Sequence, residues 1–251
     1  MINIFRGLGE AVALLWQTGH LLPHVFRQKK KLYEQLYEIG NASLLMVCIL
    51  SFFIGGVLVL QMGPVLADRS LLNYLGGIVG YSIVREFAPV MMSILIAGRI
   101  GSAMAGEIGS MQVFDEIAAL RTLNINPIEY LVLPRLVAIT LGLPMLVLFA
   151  VLAGWLGGAM VSSLNQRIHV GPQAFFEDLR EVVKLGDLLR GLFKTFVFAV
   201  CIGTICCHQG LVTTGGPRGI GRAATRAVVL SIVMIVLADY VLSRFLMLVE
   251  K

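Results

Sequence analysis

The fold class predicted by this sequence is all-α and polytopic in a membrane, and three observations carry that prediction. Of 251 residues, 57% are hydrophobic and only 14% charged, whereas a soluble domain carries about a quarter charged. Five apolar stretches, roughly 42–66, 71–105, 128–164, 188–211 and 227–249, each reach the length of about 20 residues that a helix needs to cross hydrocarbon. The lysines and arginines fall unevenly among the connections, as they do when one side of a membrane retains positive charge. The apolar content is continuous enough to read 1–251 as one domain, with an arm over 1–40 and a transmembrane bundle over 41–251.

In the arm, Phe5, Leu8, Val12 and Leu15 with Trp16 recur at three- and four-residue spacing, and Arg6 and Glu10 fall off that face. This pattern predicts an amphipathic helix lying in the membrane interface. Glu10 interrupts the apolar run and no small-residue cleavage site follows, which argues against a removed signal peptide. Lys29, Lys30 and Lys31 then lead into the first span as topological charges. That span ends in Gly63-Pro64, a pair expected to break the helix near its exit. Small residues four apart, Gly76 with Gly80, Ala97 with Gly101, Ser102 with Gly106 and Gly154 with Gly158, predict close helix–helix approach.

The second stretch carries the most informative polar residues, Arg85 and Glu86, inside an apolar run. A charge at bilayer depth costs at least about 2.5 kcal/mol, so such side chains line a cavity or pair. Adjacent helical residues point about 100° apart; one can face a cavity while the other holds a neighbouring helix. A guanidinium in an apolar cavity suits a phosphate headgroup. After Glu107 the pattern changes: Met111, Phe114, Ala118 and Leu120 or Arg121 recur at helical spacing, with Asp115 and Glu116 opposite. A helix over about 107–123 is too short and too charged to span, and Pro127 is expected to end it. With its polar face outward it suits docking to a soluble partner or, equally, lying as an amphipathic loop helix on lipid headgroups.

The positive-inside rule places the arm and the connection holding Arg218, Arg222 and Arg226 in the cytoplasm, with the 107–123 helix on the same side and the C-terminus across the membrane. The connection over 165–187 mixes both signs of charge. Basic cytoplasmic loops account for the net charge of +5, and no nucleic-acid module is present. Cys48, Cys201, Cys206 and Cys207 sit in apolar runs with neither metal nor disulfide spacing. The glycine-rich 212–222 stretch lacks the Gly-Lys-Ser/Thr ending of a nucleotide-binding loop, so any ATP must be bound by another subunit. Arg99 is read as a deep ion-pair member with Glu107 as a candidate partner, and Asp239 as a structural acid in the last span. A Ser102–His208 protease dyad has no surrounding nucleophile motif to support it.

The runs R-E-F-A-P-V at 85–90 and A-G-R-I-G-S-A-M-A-G-E-I-G-S-M at 97–111, with the acidic helix and N-P after them, closely resemble MlaE-type permeases, the membrane subunits of phospholipid ABC transporters that work with MCE proteins. Q-L-Y-E-I-G at 35–40 and F-I-G-G-V-L-V-L-Q at 53–61 extend the resemblance over nearly the whole chain. It implies a multi-pass protein of a bacterial inner membrane without catalytic activity or cofactor of its own. It also implies a second copy of the chain, a cytoplasmic ATPase that binds the ATP, a periplasmic MCE-domain hexamer and, in many systems, a STAS-domain protein. By the same resemblance Leu58, Val65, Leu66, Arg85 and Glu86 line or flank a phospholipid pocket. Glu107, Met111, Phe114, Asp115, Glu116 and Leu120 would couple it to ATP hydrolysis, and transport would serve outer-membrane lipid asymmetry. Arg69 stands where some relatives carry an aromatic residue. The rival readings are an ion-coupled secondary transporter using Arg85, Glu86 and Asp239, and a membrane scaffold.

Overall fold

The computed structural model describes residues 2–21, 28–165 and 167–249, with side chains from Gly9 onward apart from Ala11 and Val249. Among these residues it is helical and contains no strand. We number the helices α1 (Ile2–Leu21), α2 (Lys29–Ala67), α3 (Leu72–Val113), α4 (Glu116–Thr122), α5 (Ile128–Leu164), α6 (Pro172–Val182), α7 (Leu185–Leu211) and α8 (Gly216–Val249). Five of them, α2, α3, α5, α7 and α8, are long and apolar enough to cross a membrane. The chain is a multi-pass membrane protein, as its composition predicts.

The chain forms two compact units. One comprises Met1–Gly40, Ser93–Leu143 and Phe196–Met247, the other Asn41–Met92, Pro144–Thr195 and Leu248–Lys251. In the second unit glycines set the packing. A methyl group added at Gly55 would collide with the carbonyl oxygen of Gly154, and one at Gly157 with that of Phe52. Only bare backbone lets α2 and α5 approach so closely, and Ser51 Oγ donates to Ala150 O across the same contact at 2.5 Å. Of the predicted small-residue pairs, Gly154 with Gly158 therefore serves this crossing, and Gly76 with Gly80 serves another. Gly106 faces open space.

The second glycine face receives α6, a helix missed in the mixed-charge connection. Pro172 opens it after Gly171, where a fixed φ and a missing N–H cost nothing. Phe175 and Leu179, four apart, are buried, and a methyl at Gly76 would strike the Phe175 carbonyl. Asp178 Oδ2 accepts the Gly77 N–H at 2.6 Å.

In the first unit α1 is helical as predicted, with Val12 and Trp16 exposed and Leu14 and Thr18 buried. The Arg6 side chain and Arg27 lie outside the described residues. Glu10 meets His208 Nε2 of α7 at 3.3 Å.

Two expectations need correction. Gly63-Pro64 does not interrupt α2, which continues to Ala67 because the Pro64 carbonyl still accepts from Asp68 at 3.0 Å. Gly63 instead makes room for Ile168. The actual stop is Ser70, left-handed at φ 57: Leu71 donates to Leu66 O at 2.9 Å and Ser70 to Ala67 O at 3.0 Å, the hydrogen-bond pattern of a Schellman end. Arg218, Arg222 and Arg226 do not lie in a loop. α8 begins at Gly216, with positive φ at Gly215 and Gly216, so the three arginines recur every four residues along its first turns.

Candidate functional site

The site is built on α3. Its helix carries π-type turns at Ile83–Phe87 and Ala97–Gly101; one extra residue in a turn re-aims the side chains beside it, and such bulges gather at functional positions. The first bulge holds both Arg85 and Glu86. Four residues after Arg85 comes Pro89, which has no N–H to return to the Arg85 carbonyl. That carbonyl lies 3.3 Å from Nζ of Lys194 on α7.

Lys194 is the residue that the sequence reading missed. Its ammonium also donates to both carboxylate oxygens of Glu86, each at 2.9 Å. The lysine side chain is 1% exposed and the glutamate 41%, so the cation is held inside the protein while the acid is partly exposed. Gly191, one turn before Lys194, permits this approach, since a methyl there would run into the Val84 carbonyl. Half-buried Arg85 donates from Nη1 to the Tyr81 hydroxyl, one turn earlier. Two cations against one carboxylate leave the cluster one net positive charge among apolar residues. Its half-buried guanidinium and 41%-exposed glutamate together offer both signs of charge, as an anionic or zwitterionic headgroup requires.

Of the other predicted substrate residues, Leu58 is buried, Leu66 half-buried and Val65 52% exposed, all along α2. Arg69 is exposed in the turn that follows.

The predicted coupling helix over 107–123 is two elements. Glu107 and Met111 belong to the last turns of α3, which runs unbroken to Val113. Asp115 then adopts φ 59 and the chain turns into α4. Met111, Phe114, Ala118 and Leu120 therefore share no single helical face. The buried anchor is Ile117, 1% exposed, while Phe114, Asp115 and Glu116 are exposed and Met111 and Leu120 half-buried. Nor does Pro127 end the helix. Asn124, at φ 58, closes it: Ile125 donates to Leu120 O at 2.9 Å and Asn124 to Arg121 O at 3.0 Å. Asn126 Oδ1 then accepts the Ile128 N–H at 3.0 Å, and Pro127 sits at the N-cap of the next turn.

Glu107 meets Arg135 of α5, with Oε2 at 2.8 Å from Nη2, where the sequence suggested Arg99. Ser102 donates to the Gly98 and Arg99 carbonyls of its own helix, at 2.5 and 3.0 Å, and the His208 Nε2 is occupied by Glu10. That arrangement gives the protease dyad no support. Asp239 is half-buried in α8, and all four cysteines are free thiols. Among the described residues no group of three His, Cys, Asp or Glu is placed to hold a metal ion.

A family profile described as Permease MlaE matches residues 32–245. The chain belongs to the MlaE permease family. A probable ABC transporter permease protein of Synechocystis sp. is 36% identical over 92% of this chain and 89% of its own length. A probable ABC transporter permease protein of Rickettsia typhi is 36% identical over 85% of this chain and 82% of its own. The chloroplastic protein TRIGALACTOSYLDIACYLGLYCEROL 1 of Arabidopsis thaliana is 34% identical over 96% of this chain and 68% of its own. The π-bulge cluster, α4 and the Glu107–Arg135 pair all lie within the matched residues.

Proposed function

We propose that this MlaE-family permease moves phospholipids between a bacterial inner membrane and a periplasmic MCE-domain protein, as the non-catalytic membrane subunit of an ABC transporter. The observation that carries the reading is the Arg85–Glu86–Lys194 cluster: three ionisable groups within spanning helices, two cations and one partly exposed acid. Charges at that depth are maintained where they serve a pathway or a ligand. A phosphate headgroup would meet Arg85, with Leu58, Val65 and Leu66 of α2 beside its chains.

Two copies of the chain enclose the lipid in this proposal. A partner ATPase grips α4 and the turn before it through exposed Phe114, Asp115 and Glu116, with Met111, Leu120 and the Glu107 turn behind them. ATP is bound by that partner, and the permease needs no cofactor of its own. A STAS-domain subunit joins in some assemblies, and the transport serves outer-membrane lipid asymmetry. The N-terminus and the Arg218–Arg222–Arg226 turns lie on the cytoplasmic side with α4, and the C-terminus is periplasmic, following the distribution of basic residues.

The test is to express the chain with its neighbouring genes, purify it and identify what accompanies it by mass spectrometry. An ATPase, an MCE-domain protein and bound phospholipid together support the reading. A solitary, lipid-free protein overturns it in favour of a scaffold.

A further inference from the structure

We propose that Glu107 and Arg135 form a clamp that transmits movement of α4 to the spanning helices, an inference that rests on the ATPase coupling proposed above. The two residues stand 28 positions apart and bracket the entire excursion of the chain through α4. Glu107 is in the last turns of α3 and Arg135 in the first turns of α5, so their 2.8 Å ion pair closes the base of that excursion. The arginine side chain is 12% exposed and the glutamate side chain 49%; a cation so enclosed depends on its carboxylate partner. The start of α5 is fastened a second time, to the start of α2: Gln28 Nε2 donates to Glu129 O at 3.2 Å and the Lys31 ammonium lies over the Tyr130 ring. α4 itself is anchored by Ile117. A push on its exposed face is thus delivered to α3 and α5 together through the pair.

Glu107 and Arg135 are positioning residues, and charge exchange tests them. In the reconstituted permease–ATPase complex, Glu107→Gln and Arg135→Gln should each lower the lipid moved per ATP hydrolysed about tenfold. The double variant Glu107→Arg with Arg135→Glu should recover at least a third of the wild-type ratio. A purely structural role would lower transport and hydrolysis together, leaving the ratio unchanged, and that result overturns the clamp. Hydrogen exchange on the full-length permease in nanodiscs tests the clamp without the ATPase. Amides of 116–122 should exchange at least tenfold faster in each single variant and slow again in the exchanged double. Unchanged exchange contradicts the clamp; faster exchange in a system whose wild-type complex shows no ATP-driven transport contradicts only the coupling reading.

Discussion

Two ion pairs on the 42-residue α3 invite comparison, because they share a construction and differ in setting. In each, an acid on α3 meets a cation on another helix, and the cation is the better enclosed: Lys194 at 1% against Glu86 at 41%, Arg135 at 12% against Glu107 at 49%. Around Glu86 the helix is bulged, a proline withholds an N–H, and an additional arginine leaves net positive charge. Around Glu107 the helix is regular, the pair is neutral, and the chain is about to turn away through Asp115. The first places charge of both signs inside an apolar span; the second ties together the two ends of the chain's excursion through α4.

The comparison can be broken most directly by removing the acids. Glu86→Ala strands an almost fully enclosed ammonium and should cost about 3–5 kcal/mol, while Lys194→Met, which keeps the volume and removes the charge, should cost less than half as much. Glu107→Ala, whose partner is less enclosed, should cost about 2 kcal/mol. Thermal unfolding in nanodiscs ranks the three, and equal losses for Glu86→Ala and Lys194→Met would refute the asymmetry.

Two glycines give a smaller contrast. Gly157→Ala, which drives a methyl into the Phe52 carbonyl, should cost about 1–3 kcal/mol. Gly106→Ala, in open space one residue before Glu107, should be neutral or slightly stabilising through helix propensity. The same unfolding assay checks both.

Smaller still is the cap of α4. Asn124→Val forces a β-branched residue into the left-handed region and should cost about 1–2 kcal/mol, whereas Asn124→Gly should change stability by only a few tenths of a kcal/mol. Protease protection of the 114–127 segment reports the difference. Reversing charge at Asp115 and Glu116 should disturb the fold least, by under about 1 kcal/mol, yet uncouple ATP hydrolysis from transport. Wild-type transport in that double variant would remove α4 from the coupling path.

The five spans were legible because length and hydropathy are what a bilayer selects, and Arg85 and Glu86 stood out by the cost of charge at depth. Lys194, in G-L-F-K-T-F at 191–196, carries the same cost of charge within an apolar run. α6 also had a readable signal, Pro172 after Gly171 followed by apolar residues at 175, 179 and 182, obscured by its mixed charges. Other features left no local trace. A π-bulge has no residue signature, and a pair 28 positions apart cannot be seen in helical spacing. The break at Asp115 was hidden because aspartate enters the left-handed region without requiring glycine. Pro64 misled for the opposite reason: near the end of α2 its missing N–H disturbs little.

The measurement closest to the central claim is headgroup-labelled phospholipid transfer from proteoliposomes containing the permease and its ATPase to a soluble MCE-domain acceptor. We expect transfer that requires ATP and falls at least tenfold in Arg85→Gln with the complex still assembled. Transfer driven by an ion gradient without any ATPase, or transfer indifferent to Arg85, would contradict the account.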